Sequence, residues 1–185
     1  TMVTAGVYMV ARCNVFFRIS HEWALKTLEG NVTGWGLLTH DAAFQSVAVE
    51  PAFDGRKRAG EPRFVDHYRY NIAAWRLASH VGLAHMMPPT VERTVDRVQG
   101  ALSWWVDDVK MNEKDRLAKQ TMGPNPLRTS NQIQLMHIWD ELIQNRDRNA
   151  GNLLWTADWT MWMIDHTRAF RLGKDLLKPQ QLERI

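Results

Sequence analysis

Three oxygen-bearing side chains, Asp147, Asn152 and Asp165, are spaced five and thirteen residues apart within Asn145–Phe170, which reads NRDRNAGNLLWTADWTMWMIDHTRAF. Phosphoryl transfer asks for little covalent work from a protein. It needs Mg²⁺ across the phosphates, a group that orients the acceptor hydroxyl, and positive charge on the transferring oxygens. Mg²⁺ prefers oxygen ligands and usually takes only one or two carboxylates from the protein. Asn152 and Asp165 carry such oxygens, which leaves Asp147 to accept a hydrogen bond from an attacking hydroxyl. The competing reading is an Asx-rich turn between a helix and a hairpin, with Asp147 and Asn152 making local bonds.

The elements around the segment have to bring these residues to one pocket. Leu153–Trp155 and Met161–Ile164 read as two strands joined by an Ala157-Asp158 turn. The chain would run out and back, so Asp165 returns to face Asn152, while Leu153, Leu154, Trp162 and Ile164 anchor the hairpin on a core. Upstream, Thr129 or Ser130 can cap a helix running to about Gln144, with an apolar stripe of Ile133, Met136, Trp139, Leu142 and Ile143. Asp66 can cap another helix, over 66–81, that Gly82 terminates. Ala42–Val49 has strand-like content. Thr90–Val95 and Ala101–Val106 read as a strand pair joined by the loop 96–100, and 107–126 as a polar connector carrying a short helix. Residues 29–36 hold three glycines that fit a turn over phosphates or a plain hairpin, and 54–62 is a polar loop.

The 185 residues suit one domain or a two-lobed unit with a real core. A net charge of +3 suits a protein that meets phosphates without marking a nucleic-acid binder, and none is expected as a partner. The single cysteine, Cys13, excludes an internal disulfide framework and a cysteine-based zinc site, so a reducing, cytoplasmic setting is the default. The apolar start, TMVTAGVYMVARCNVFF, is interrupted by Arg12 and Asn14, so it holds no membrane-spanning run. Both ends read as cut, the C-terminal one inside a new helix, LKPQQLERI.

Asp147-Arg148-Asn149-Ala150-Gly151-Asn152 resembles the D-R-N/H-x-x-N loop of the phosphatidylinositol 3-/4-kinase-like superfamily, which includes type II phosphatidylinositol 4-kinases, HipA-type kinases and atypical kinases of the secretory pathway. Ile164-Asp165-His166 with Ala169-Phe170 resembles its metal-binding I-D-x-G-x-A-F segment. NIAAWRLASHVGLAHMMPPTVER resembles the helix-to-strand segment of bacterial members, and GALSWWVDDV the strand leading to the interlobe hinge. The similarity covers roughly residues 38–185 and is most specific at 145–170. It implies an α+β, two-lobed protein-kinase-like fold, with a β-rich N-lobe over 1–106 and a partial C-lobe over 107–185. It also implies ATP and Mg²⁺ as cofactors, Asp147 as the catalytic residue, Asn152 and Asp165 as metal ligands, backbone groups near Trp104–Val106 for adenine, and a hydroxyl-bearing substrate.

The departures point elsewhere. Kinases hold the ATP phosphates with a strand lysine oriented by a helix glutamate. Here those cofactor-binding positions fall on Gln45 and Asn71, a neutral pair able to hydrogen-bond but offering no cation; Lys57 or Arg58 are the candidates to substitute. The glycine usual after the metal-binding Asp is missing from Asp165-His166-Thr167. The expected function is therefore an ATP- and Mg²⁺-dependent phosphotransferase, with a non-catalytic pseudokinase or nucleotide-binding scaffold as the alternative and an AMPylating nucleotidyltransferase as a third. Arg146, Arg148, Arg168, Arg171 and Lys174 are either substrate-phosphate contacts or partners of nearby Asp. Asp140 is expected to make a structural bond to the catalytic loop, and His137 and His166 to be hydrogen-bonded rather than metal-bound.

Overall fold

The computed structural model describes residues 15–17, 38–49 and 65–171. Cys13, the glycine-bearing segment 29–36, the loop 54–62 with Lys57 and Arg58, Lys174 and the expected helix at 177–185 lie outside the described residues. The architecture is α+β, built from small antiparallel sheets and a few helices.

Strands β1 (Val15–Phe17) and β2 (Leu38–His40) pair with each other, as do β4 (Ala48–Val49) and β5 (Asp66–His67). Strand β3 (Ala42–Gln45) belongs to a three-stranded sheet of order β3-β7-β6, with β6 at Thr90–Val95 and β7 at Val98–Trp104. The β6–β7 connection is tighter than the expected five-residue loop. Asp96 and Arg97 both adopt left-handed backbone, with φ of 48° and 67°, and Val95 pairs directly with Val98. That is the geometry whose twist matches two antiparallel strands, and Asp tolerates it well. Val98, Gln99 and Gly100 are therefore strand residues.

Helix α1 (Arg69–His80) follows β5 and buries Asn71, Ile72, Ala74 and Ala78. Asp66 does not cap it. Asp66 is held in β5 and pairs with Arg168, and the N-cap position is Tyr68, with no side-chain cap bond. At the other end Gly82 takes the left-handed conformation, φ +82°, and the Leu83 N–H reaches back to the Ala78 carbonyl at 2.8 Å, as a glycine-terminated helix should.

The connector after residue 107 holds a strand as well as the expected helix. Strand β8 (Val109–Asn112) precedes α2 (Glu113–Ala118), whose Asn112 cap accepts from the Asp115 N–H at 2.8 Å. Only Met111 of β8 is buried, so an edge strand was hidden in a polar stretch. Helix α3 (Pro126–Leu142) starts earlier than Thr129 or Ser130. Asn125 is the cap, accepting from the Arg128 N–H at 3.0 Å, and Pro126 occupies the first turn where its missing N–H costs nothing. Met136, Trp139 and Ile143 face the core as expected, but Leu142 is 61% exposed. Between Arg128 and Asp140 the helix has no acidic or basic residue other than His137, and Leu127, Leu135 and Ile138 are also exposed.

Strands β9 (Leu153–Thr156) and β10 (Met161–Met163) form the expected hairpin, and β8 joins it in a sheet of order β10-β9-β8. The main core takes Ala74, Ala78, Met86 and Met87 from before residue 106 and Trp139, Trp155, Met161 and Met163 from after it.

Gly100 lies in β7 beside the end of β3, next to the Gln45–Ala101 pair. A Cβ there would lie 2.5 Å from the Gln45 carbonyl oxygen and 2.6 Å from the Phe44 ring. Because one obstacle is backbone, Gly100→Ala should force the strands apart and cost about 1–3 kcal/mol in urea unfolding.

Candidate active site

The loop after α3 is organised by one buried guanidinium. Arg148 donates through Nε and Nη2 to both carboxylate oxygens of Asp140, at 2.9 and 3.0 Å. Its Nη1 donates to the carbonyls of Asn152 at 3.2 Å and Ile164 at 2.7 Å, and its Nη2 lies 2.8 Å from His166 Nε2. Asn145 adds a bond from Nδ2 to Asp140 Oδ1 at 3.0 Å, and accepts the Asp147 N–H at 3.3 Å. Arg148 is therefore a structural tie and not a phosphate contact, and Asp140 holds the loop as expected.

His166 is enclosed beside that guanidinium. Burial first, and the Arg148 charge second, push its pKa well below the usual imidazole range. The ring is neutral, and Nε2 accepts from the Trp139 indole N–H at 3.4 Å and from Arg148. It is hydrogen-bonded rather than placed as a metal ligand.

The hairpin brings the two proposed metal ligands to one end. The Ile164 N–H donates to the Asn152 carbonyl at 3.0 Å, so the residue before Asp165 is paired with Asn152 itself. Asp165 takes left-handed backbone, φ 56°, and its Oδ1 accepts from the Thr167 hydroxyl at 3.1 Å. The far end of the hairpin is clamped by the buried Gln132. Its Nε2 donates to the Trp159 carbonyl at 3.0 Å and its Oε1 accepts the Met161 N–H at 2.8 Å.

Asp147 is half-buried. Its pKa is raised, chiefly by burial and further by the negative charges of Asp165 and Asp66, against the opposing pull of Arg168. Arg168 Nη1 donates to Asp147 Oδ1 at 2.9 Å and its Nε to Asp66 Oδ2 at 3.3 Å. Arg168 thus takes the Asp-pairing role rather than standing clear for a substrate. Its partner Asp66, 102 residues away, left no local signal in the sequence.

Gln45 and Asn71 meet. Asn71 Nδ2 donates to Gln45 Oε1, and Asn71 Oδ1 accepts the His166 N–H at 2.6 Å. A neutral chain thus links β3, α1 and the backbone next to Asp165. Both residues line a cavity of about 480 Å³, together with Ala43, Trp104–Val109, Leu154, Met163, Asp165 and His166. Asp147 and Asn152 are not among its lining residues. Its mouth carries Asp107, whose Oδ2 lies 2.6 Å from His40 Nε2, while the His40 ring stacks on Trp104 at 3.6 Å. The Trp104 and Trp105 N–H groups already donate to the carbonyls of Pro89 and Asp41, at 2.9 and 3.1 Å. Val106 and Asp107 make no backbone hydrogen bond among the described residues, so the backbone open to a ligand lies slightly beyond the expected 104–106.

The donor set fits Mg²⁺. Asn152 is only 8% exposed, and its side-chain amide makes no hydrogen bond among the described residues. One amide oxygen and one carboxylate leave the remaining positions to phosphate and water, the usual habit of this ion. Among the described residues no group of three His, Cys, Asp or Glu is arranged to hold a metal. No helix there is long and apolar enough to cross a membrane. No family model matches the sequence, and no curated protein matches it either.

Sequence reasoning missed the buried Glu113–Arg116 ion pair, 2.6 Å, and the Trp155 indole N–H on Glu113 Oε2 at 2.7 Å, which fasten α2 beneath the hairpin. The i, i+3 spacing of Glu113 and Arg116 was the available signal for the ion pair.

Removing the guanidinium should leave the Asp140 carboxylate buried without compensation. Arg148→Ala is expected to destabilise by about 3–5 kcal/mol in urea unfolding, and Asp140→Ala added to it should recover part of that loss, because the stranded charge goes too.

Proposed function

We propose that the protein is an atypical, two-lobed kinase-like phosphotransferase that moves the γ-phosphate of ATP to a hydroxyl acceptor. The observation that carries the reading is the meeting of Asp165, Gln45 and Asn71 in one cavity between the β3-β7-β6 sheet and the β9–β10 hairpin. The volume is within the range of small-molecule sites. Ala43 on one side and Leu154 and Met163 on the other offer apolar surfaces to a base, with the Val106–Asp107 backbone at its edge.

Mg²⁺ would supply positive charge to offset what develops on transfer, and Asp165 and Asn152 would be the residues that hold it. Asp147 accepts the hydrogen bond of the acceptor hydroxyl, and burial makes that carboxylate more basic than an exposed one, which suits the task. Arg168 keeps Asp147 in place through the 2.9 Å contact and opposes the upward push of burial on its pKa. A hydroxyl on a protein, lipid headgroup, sugar or small molecule meets the requirement on the acceptor.

A second reading, a nucleotide-binding scaffold without turnover, is favoured by the Gln45–Asn71 pair, which puts two amides where kinases have a lysine and a glutamate. The two readings separate in one pair of measurements. Mg-ATP at about 100 times its Kd should add roughly 2.7 kcal/mol of stability, seen as a thermal shift that Asp165→Ala abolishes. For the phosphotransferase, Asp147→Ala should keep the shift and lose about 10²–10⁴-fold in turnover, whether of ATPase or of acceptor labelling. Binding with a turnover that Asp147→Ala leaves unchanged assigns the scaffold. Absence of any Mg-ATP shift in folded protein removes both.

A further inference from the structure

Asp147 is met by its arginine through one oxygen. Arg168 Nη1 donates to Oδ1 at 2.9 Å, and Oδ2 accepts no hydrogen bond among the described residues. An arginine beside a carboxylate commonly meets both oxygens at once, through two parallel N–H bonds. That closure is absent here, and the reason lies in β5. Arg168 Nε donates to Asp66 Oδ2 at 3.3 Å, so the guanidinium is drawn toward a second carboxylate. Asp66 is placed by backbone. It pairs with Val49 of β4, the His67 N–H donates to the Thr167 carbonyl at 2.9 Å, and the Tyr68 N–H donates to the Val47 carbonyl at 2.8 Å. The Tyr70 ring packs against Phe170, with centroids 5.8 Å apart. Residues 66–70 therefore lie along 167–170, and Asp66 stands beside Arg168 for reasons independent of the ion pair.

Resting on the role given to Asp147 above, we propose that Asp66 is a positioning residue for the transfer, holding Arg168 to one oxygen of Asp147 so that Oδ2 stays open to the acceptor hydroxyl. Without Asp66 the guanidinium can turn two N–H groups onto Asp147, and the oxygen that should face the acceptor is then taken up in an ion pair. The three side chains are partly buried, where the attraction between them is screened less than at the surface. Asp66 touches neither acceptor nor nucleotide in this arrangement and acts only through Arg168. It also ties the acceptor side to the rest of the site. β5 leads directly into α1, which carries Asn71 in the cavity, so the element that places Asp66 places Asn71 as well.

The test is steady-state hydrolysis of Mg-ATP by the full chain, with water as the acceptor, for Asp66→Ala, Asp66→Asn, Arg168→Ala and the double variant Asp66→Ala, Arg168→Ala, each shown to be folded by circular dichroism. Asp66→Ala should lose at least about tenfold in kcat, with KM for Mg-ATP within about twofold of the unaltered protein and the Mg-ATP thermal shift kept. Asp66→Asn keeps an oxygen for Nε but not the charge, and should lose severalfold. Adding Asp66→Ala to Arg168→Ala should change kcat by less than about twofold, because the two residues act through one chain of bonds. A folded Asp66→Ala with unaltered kcat, a loss confined to KM, or a loss that multiplies in full with Arg168→Ala overturns this inference and leaves the phosphotransferase reading standing. Where Asp66→Ala does not fold, unaltered kcat in Asp66→Asn overturns it equally. Unaltered protein without turnover, or with turnover that Asp147→Ala leaves unchanged, overturns the phosphotransferase reading, and this inference with it.

Discussion

A single buried charge pair, Asp140 with Arg148, holds the functional end of the molecule together. Its two parallel bonds use one edge of the guanidinium, and the remaining donors reach the carbonyls of Asn152 and Ile164 and the ring of His166. Five acceptors thus surround one planar fork, a geometry that a lysine ammonium does not reproduce. Both charges are nearly removed from water, with side chains 6% and 10% exposed. Such a pair is retained only when its hydrogen bonds are complete, and here they are. Helix α3, the loop of Asp147, the start of β9 and the end of β10 are all tied to one side chain, so the site moves as a block or not at all.

From that tie the rest of the site follows. The Asn152 and Ile164 carbonyls share one Arg148 nitrogen, which fixes the open end of the hairpin, while Gln132 fixes the closed end. The chain then reverses at Asp165. A segment of this shape needs one left-handed residue, for which glycine is the cheapest choice. Here the left-handed residue is Asp165 itself, and the Thr167 hydroxyl on its carboxylate helps to hold it. That gives the missing glycine after Asp165 a conformational reason: the turn is made one step earlier, by Asp165 itself.

The parts legible in the sequence were those whose signal is local. The hairpin around Thr156–Met161 and the termination of α1 at Gly82 follow from apolar alternation and from a glycine past the last turn. The meeting of Gln45 and Asn71 followed from the resemblance rather than from periodicity. The misreadings are also local, and each has a rival residue. Asn125-Pro126 offered a stronger helix start than Thr129, and Asp96-Arg97 made a complete turn without Gly100. Asp66 was claimed by Arg168 instead of by the helix. What was not legible depends on distance along the chain. No spacing rule connects Asp66 to Arg168, or Gln132 to Trp159. The edge strand β8 was invisible because it buries a single side chain.

The core has a chemical character of its own. Met86, Met87, Met111, Met136, Met161 and Met163 are buried in one cluster with Trp139, Trp155 and Trp159. Thioethers are soft and adaptable, and they make favourable contacts with indole rings. They are also the side chains that oxidants convert to polar sulfoxides. Folding shields Met86, Met161 and Met163 fully, so peroxide meets these three only during an opening of the core. Each such encounter is written into the chain as a group the same core no longer accommodates. The packing that makes the interior forgiving of shape therefore also makes it a chemical memory of having been unfolded.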